Sequence, residues 1–287
     1  MSFGIRAEPS TGKARRPKPA TALMGVARGA LLAILALLFL VPFALAINTS
    51  LKDQREVWAV LSLPSSLFFG NYVSAIAKIS RGLMNSMMIA LPSTVLSTLV
   101  GAMAAYPLSQ LKFKGSGAAY AVILAGLYVP YTTVLIPLFF VIRGIGLYDT
   151  IPGLWVTHIG FGIPYTTLVL RNFFITIPQE LKEAAAIDGC GAKGYFWKVL
   201  LPVGRVGVSA CAIIQFASIW NEFLFALTLT RTPELFPVTV ALQGFGSRTQ
   251  ILWGPLMAAS LITIIPTLAI FLVFKRQFIG GLVGTYK

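Results

Sequence analysis

Between residues 178 and 202 the sequence carries Glu183-Ala184-Ala185, then Asp188-Gly189, then Phe196, and finally Leu201-Pro202. Pro178 reads as a helix start, and Gly189 and Gly191 as its stop, because proline fits a first turn and glycine enters the left-handed backbone that ends a helix. Leu181, Ala184, Ala185 and Asp188 then share one face at i, i+3, i+4 and i+7. An alanine-rich face is shallow, so another surface can come close to the backbone. Glu183 and Asp188 offer carboxylates to basic groups on a partner or to free backbone amides. Tyr195, Phe196 and Val199 restart an apolar face before Pro202. The chemistry on offer is docking rather than bond-making, and by spacing alone the segment can equally be an interfacial helix that joins two others.

Asn221 and Glu222 form the second constellation. They lie well past Arg205, roughly 26 Å along a helix, and an ionisable residue at membrane depth points to a transport pathway. The alternative is that Glu222 reaches the interface or caps a helix break. His158 and Arg171 read as structural, the latter as an interfacial cation. Gly189 to Gly194 fit G-x-G-x-x-G, but a dinucleotide fingerprint needs a preceding strand and the residues before it read as a helix. Gly12-Lys13 lacks the rest of a phosphate-binding loop, so no ATP site is encoded. One histidine and two cysteines, Cys190 and Cys211, leave no metal-ligand spacing. No nucleophile stands beside a base.

These residues need elements to hold them, and the composition says which. Of 287 residues 56% are hydrophobic and 11% charged, against roughly 25% charged in soluble domains. Apolar runs at about 25–47, 84–107, 117–142, 154–176, 205–229 and 254–274 each reach the ~20 residues that cross a bilayer as a helix. None alternates with the period of a membrane strand. The expected fold is therefore an all-α integral membrane protein with six transmembrane helices. Residues 1–24 read as a disordered basic cytoplasmic tail, 25–287 as the transmembrane domain, and 177–203 as its cytoplasmic loop. The first run imitates a secretory signal ending at Ala44-Leu45-Ala46, but it is too long for one and is expected to stay as a helix.

The net charge of +14 is spread over short segments between the apolar runs, unlike the clustered stripe of a nucleic-acid binder. With the N-terminus inside, 16 of the 23 Lys and Arg fall on the cytoplasmic side, so both termini are expected there. Tyr72, Trp155, Trp220 and Trp253 sit near the ends of these runs, where interfacial aromatics are expected.

Glu183-Ala184-Ala185, Asp188-Gly189, Phe196 and Leu201-Pro202 resemble, with matching spacing, the EAA loop of type I ABC importer permeases. Cys190 stands where that family has alanine, and Val203-Gly204-Arg205 is looser than its usual sequence. Asn85-Ser86, Trp220-Asn221-Glu222-Phe223, Trp253-Gly254, Leu256-Met257-Ala258-Ala259 and Gly281-Leu282-Val283-Gly284 resemble the maltose-type carbohydrate branch, specifically its second, six-span permease. The similarity runs over residues 25 to 287. It implies that Glu183, Ala184, Ala185, Asp188, Gly189, Phe196, Leu201 and Pro202 couple the chain to an ATPase. It also implies a bacterial inner-membrane complex with a homologous second permease, two ATPase subunits and an extracytoplasmic solute-binding protein. ATP and magnesium would be bound by the ATPase, with no cofactor here, and the cargo would be a carbohydrate. Rival readings are a permease for glycerol phosphate or a polyamine, or an ATP-independent transporter or channel. Few basic residues within the spans weigh slightly against an anionic cargo such as glycerol phosphate, and the lack of a clear midplane charge or internal repeat weighs against a transporter or channel working without ATP.

Overall fold

The computed structural model describes residues 19–247 and 250–283, with the side chains at 19–23, 26 and 276–283 excepted. Among the described residues the chain is helical, with one isolated bridge between Gly246 and Ile251. Helix α1 covers Pro19–Ser50 and α2 Gly70–Gln110, while α3 (Ser116–Ala125) and α4 (Tyr131–Gly144) follow a tight connection. Next come α5 (Ile151–Ile175), α6 (Glu180–Ile187), and α7 (Ala192–Tyr195) leading through a π turn, Phe196–Leu200, into α8 (Leu201–Val203). The remainder is α9 (Arg205–Trp220), α10 (Leu224–Leu229), α11 (Val238–Ala241) and α12 (Trp253–Val283). The backbone is already helical at Pro19, inside the expected tail, whose residues 1–18 lie outside the described residues.

Among the described residues three helices are long and apolar enough to cross a membrane alone: Ala27–Ser50, Gly70–Gln110 and Trp253–Lys275. Two bent pairs raise that to five if each is one span, Ser116–Tyr128 with Tyr131–Gly144 at 100° and Ala192–Val203 with Arg205–Trp220 at 77°. Helix α5 has the length, but Thr157, His158, Thr166 and Thr167 make it less apolar, and all four are buried inside the bundle rather than facing outward.

Three expected runs differ from the helices observed. The run at 84–107 is the later part of α2, which begins at Gly70 and at about 1.5 Å per residue far exceeds the bilayer core. The run at 117–142 breaks at Val129-Pro130: proline has no N–H to donate, and it holds Val129 extended at φ −81°, ψ 111°. The run at 205–229 breaks at Asn221–Phe223, between α9 and α10. Trp220 is also no interfacial aromatic. It is 2% exposed, and its indole donates to the Thr263 carbonyl at 3.1 Å, pinning α9 to α12.

Helices α2 and α5 form the central pair, packed through small residues. Gly82, Ser86, Ser93, Ser97, Gly101 and Ala105 lie buried on one face of α2, and such a face lets backbones approach closely. Two apolar cores flank this pair. One gathers Leu154, Phe216, Trp220 and Phe225 with α11. The other gathers Tyr106, Phe174, Tyr195, Phe196 and Leu200 with Ala185 of α6.

The connection between α4 and α5 is tied to the segment after α10 by Asp149. Its carboxylate accepts from the Arg231 and Thr232 amides at 2.8 and 3.0 Å and from the Thr232 hydroxyl at 2.5 Å. Burial works to raise the pKa of this carboxyl, but the three hydrogen bonds outweigh it and hold the group below its ordinary value. A depressed folded pKa adds stability above the unfolded value, and that stability is lost as the pH falls through the folded one. The difference in thermal midpoint between wild type and Asp149→Ala is therefore expected to be full at about pH 6 and to shrink steadily below about pH 4. A difference that stays constant down to pH 3 or so would remove the role given to this carboxylate.

Candidate functional site

Helix α6 is held by both its ends. Glu180 and Glu183 lie in its first turn, where carboxylates complement the unpaired amides and the helix dipole. At its other end Gly189 adopts φ 76°, with Cys190 N–H on the Ala185 carbonyl at 2.8 Å and Gly189 N–H on Ala186 at 3.0 Å. This paired closure needs a left-handed residue after the helix, so Gly189 acts through its backbone.

The face expected from Leu181, Ala184, Ala185 and Asp188 is divided. Ala185 is 7% exposed and turned into the core beneath, with Lys182 half-buried beside it. Glu180, Glu183, Ala184 and Ile187 look outward, Ile187 being 87% exposed, and Leu181 and Asp188 lie at the margin. The inward side follows the attachment of the helix to its neighbours, which spacing cannot reveal.

Beneath α6, Tyr106 of α2 lies 5.8 Å from the ring of Tyr195 and 5.7 Å from that of Phe196. Phe196 is thus part of the seat and is covered. Leu201 and Pro202 belong to the short α8. Pro202 cannot donate to the carbonyl four residues earlier, and the chain widens there so that Leu201 N–H reaches the Phe196 carbonyl. The bend into α9 then falls at Gly204, where a Cβ would meet the Leu200 carbonyl at 2.8 Å.

The seat is fastened by Gln110, the last residue of α2 and 4% exposed. Its amide donates to the Phe174 and Ile177 carbonyls at 2.6 and 3.4 Å and accepts from the Gln179 amide at 3.1 Å. Lys182 Nζ donates to the Gln110 backbone carbonyl at 2.8 Å. Arg171 donates to the Leu108 carbonyl at 3.1 Å and covers the Tyr120 ring at 4.2 Å. Both cations thus satisfy carbonyls that a helix C-terminus leaves free. Gln110 and Lys182 were not legible as functional, because their significance lies in contacts more than 60 residues away.

Asn221 and Glu222 occupy the break between α9 and α10. Glu222 caps α10, accepting from the Phe225 and Ala226 amides at 2.8 and 3.4 Å, and its backbone carbonyl accepts from the Thr239 hydroxyl at 2.8 Å. Asn221 donates to the Ala217 carbonyl at 2.8 Å. Both residues also line a cavity of ≈ 470 Å³ among α4, α5, α9 and α10. Its walls alternate rings (Tyr131, Phe161, Tyr165) with polar groups (Gln215, Ser218, His158), and they include no Lys or Arg. His158 is 5% exposed and meets Phe225 edge-on at 5.8 Å. The structure thus brings Glu222, Asn221 and His158 together, and separates them from α6 by the length of the bundle.

Asn85 and Ser86, noted in the sequence only as a resemblance, hold the segment before and within α11. Asn85 donates to the Glu234 and Phe236 carbonyls at 2.8 and 3.0 Å, and the Ser86 hydroxyl accepts from Val238 N–H at 2.9 Å. Among the described residues no three His, Cys, Asp or Glu converge as metal ligands, both cysteines are free, and the glycine run 189–194 follows a helix rather than a strand.

Residues 97–278 match the family described as binding-protein-dependent transport system inner membrane component. The chain is 35% identical over 264 residues to the diacetylchitobiose uptake system permease protein of Streptomyces coelicolor, covering 90% of this chain and 87% of that one. It is 34% identical to the trehalose transport system permease protein of Mycobacterium tuberculosis, over 85% and 90% of the two chains. In structure it is similar to a chain of a bacterial ABC transporter involved in the import of the acidic polysaccharide alginate, with TM-score 0.79, 22% identity, and 92% and 100% of the two chains covered.

Proposed function

This chain belongs to the family of binding-protein-dependent transport system inner membrane components, and from that premise we propose how its parts work in an importer of carbohydrate. Six spans cross the inner membrane, namely α1, α2, the bent α3–α4, α5, α9 with α10, and α12, with both termini in the cytoplasm. A homologous second permease completes the pathway, two ATPase subunits bind ATP and magnesium, and an external binding protein delivers the solute. The observation that carries this reading is α6, an eight-residue helix that shows Glu183, Ala184 and Ile187 outward while Ala185 and Lys182 fasten it to the bundle. Such a helix can receive a push from a docked ATPase without coming loose.

The cavity supports the carbohydrate reading. Aromatic faces beside amide and hydroxyl groups suit sugar rings, which combine apolar faces with hydroxyl edges. A lining without Lys or Arg offers nothing to neutralise a phosphate or a uronate, so an uncharged sugar suits it better than the alginate imported by the structural neighbour. The importers of diacetylchitobiose and trehalose, to which this chain is similar, carry uncharged sugars.

Purification from the native locus in mild detergent tests the assembly. An ATPase, a second permease and a binding protein are expected to co-purify, and a chain that transports alone would overturn the proposal. Within the intact complex, Glu183→Arg reverses a charge on the outward face of α6. It is expected to lower solute-stimulated ATP hydrolysis about fivefold or more while leaving membrane insertion unchanged. Wild-type stimulation in that variant would remove Glu183 from the docking face.

A further inference from the structure

The contacts of α2 join the two candidate sites. At its inner end Gln110, buried, donates to the Phe174 carbonyl of α5 and to that of Ile177 just beyond α5, and accepts from Gln179 ahead of α6, while Lys182 of α6 grips its backbone carbonyl. Midway along α2, Arg81, Asn85 and Ser86 grip Glu234, Phe236 and Val238. Thr239, next in that segment, donates to the backbone carbonyl of Glu222 at the cavity. Between Ser86 and Gln110 the helix is unbroken, a rod of roughly 36 Å.

We propose that α2 is the connecting rod of the transport cycle, with Gln110 as its inner joint to α6 and Asn85 as its outer joint to the segment that holds Glu222. This rests on the importer reading above. Both are positioning residues and touch no solute. A displacement of α6 is passed to Gln110 through two bonds, one to its side chain and one to its backbone, so the end of α2 follows. Packing of its small-residue face on α5 supports α2 past Pro92 and Pro107, where a backbone hydrogen bond is missing. Asn85, bonded to two carbonyls of the segment leading into α11, moves with it the Thr239 hydroxyl that holds Glu222 at the cavity. A secondary element bonded to both sites is one of the physical routes by which coupling crosses this distance.

The test uses the complete complex, with binding protein and ATPases, reconstituted in vesicles, and reads solute imported per ATP hydrolysed. Wild type must first show solute-stimulated hydrolysis; its absence would count against the importer reading itself and so sink the rod with it. Given that stimulation, Gln110→Leu and Asn85→Leu are each expected to lower the ratio about fivefold or more, with hydrolysis continuing. The double variant is expected to fall no further than the worse single one, since both break one linkage. A ratio unchanged in both single variants, or losses that multiply in the double, would overturn the rod and leave the importer standing. A merely structural role would lower hydrolysis and import together and keep their ratio, which also overturns it. Should Gln110→Leu fail to assemble, Lys182→Met takes its place, deleting only the bond to the Gln110 carbonyl. Lys182→Arg, which keeps a donor there, is expected to retain the wild-type ratio.

Discussion

Gly101→Val is expected to lose the folded permease, lowering stability by about 3 kcal/mol or more. Gly101 sits where α2 crosses α5, and a Cβ there would lie 2.1 Å from Thr166 Oγ1, 2.7 Å from Thr166 Cβ and 3.0 Å from the Thr167 nitrogen. The hydroxyl cannot simply turn away, because it bonds to the Ser97 and Gly162 carbonyls at 2.9 and 3.0 Å. Nor can α5 withdraw easily: Gly162, one turn before, is packed against Ser97 and the Gln215 amide. The valine must therefore push the two backbones apart along the main helix pair. Gly160→Val supplies the control, since a Cβ at Gly160 meets nothing within 4 Å, and its effect should stay within about 0.5 kcal/mol. Thermal midpoints followed by size-exclusion chromatography in detergent read both. Equal midpoints for the two variants would show that α2 and α5 do not approach this closely.

Ala185→Leu is expected to leave the protein inserted and assembled, with hydrolysis continuing, but to reduce the solute imported per ATP hydrolysed roughly tenfold. Ala185 is the residue of α6 that enters the core of Tyr106, Tyr195 and Phe196. Three added carbons there have no space, and overpacking of this kind costs about 1–3 kcal/mol. Helix α6 is short, so it can escape the strain by lifting from its seat, which strains the Gln179 and Lys182 contacts to Gln110. A lifted α6 stays in the complex but no longer moves the bundle. Ala186→Leu, on the exposed side of the same helix, adds the same volume without strain at the seat and is expected to remain within about twofold of wild type. Comparable losses in both variants would mean that bulk on α6, rather than its seating, controls the coupling.

Some of this was legible in the chain alone because its causes are local. Hydropathy marked the helical, membrane-spanning character. Pro178 and Gly189 marked the extent of α6, since a proline with no N–H and a glycine at positive φ act within a few residues of themselves. Glu222 was visible as a charge in an apolar setting, with helix capping among its possible roles. Trp220, near the end of an apolar run, looks interfacial in the sequence, but its indole finds the Thr263 carbonyl across the bundle.

The tertiary structure decided what depends on distant partners. It broke the apolar run after Trp220, turned Ala185 inward and Ile187 outward, extended α2 to Gly70, and made Gln110 a fastening at the end of that helix and Asn85 one midway along it. The physical reason is common to all of these. Hydropathy and backbone preference belong to neighbouring residues, whereas buried amides must find their acceptors wherever the fold brings them. For Gln110 these lie 64 and 67 residues away, and for Asn85 149 and 151. Sequence by itself determined that the chain would be helices in a membrane with an exposed acidic loop helix. Only the packed bundle determined which side of that helix is held, and by what.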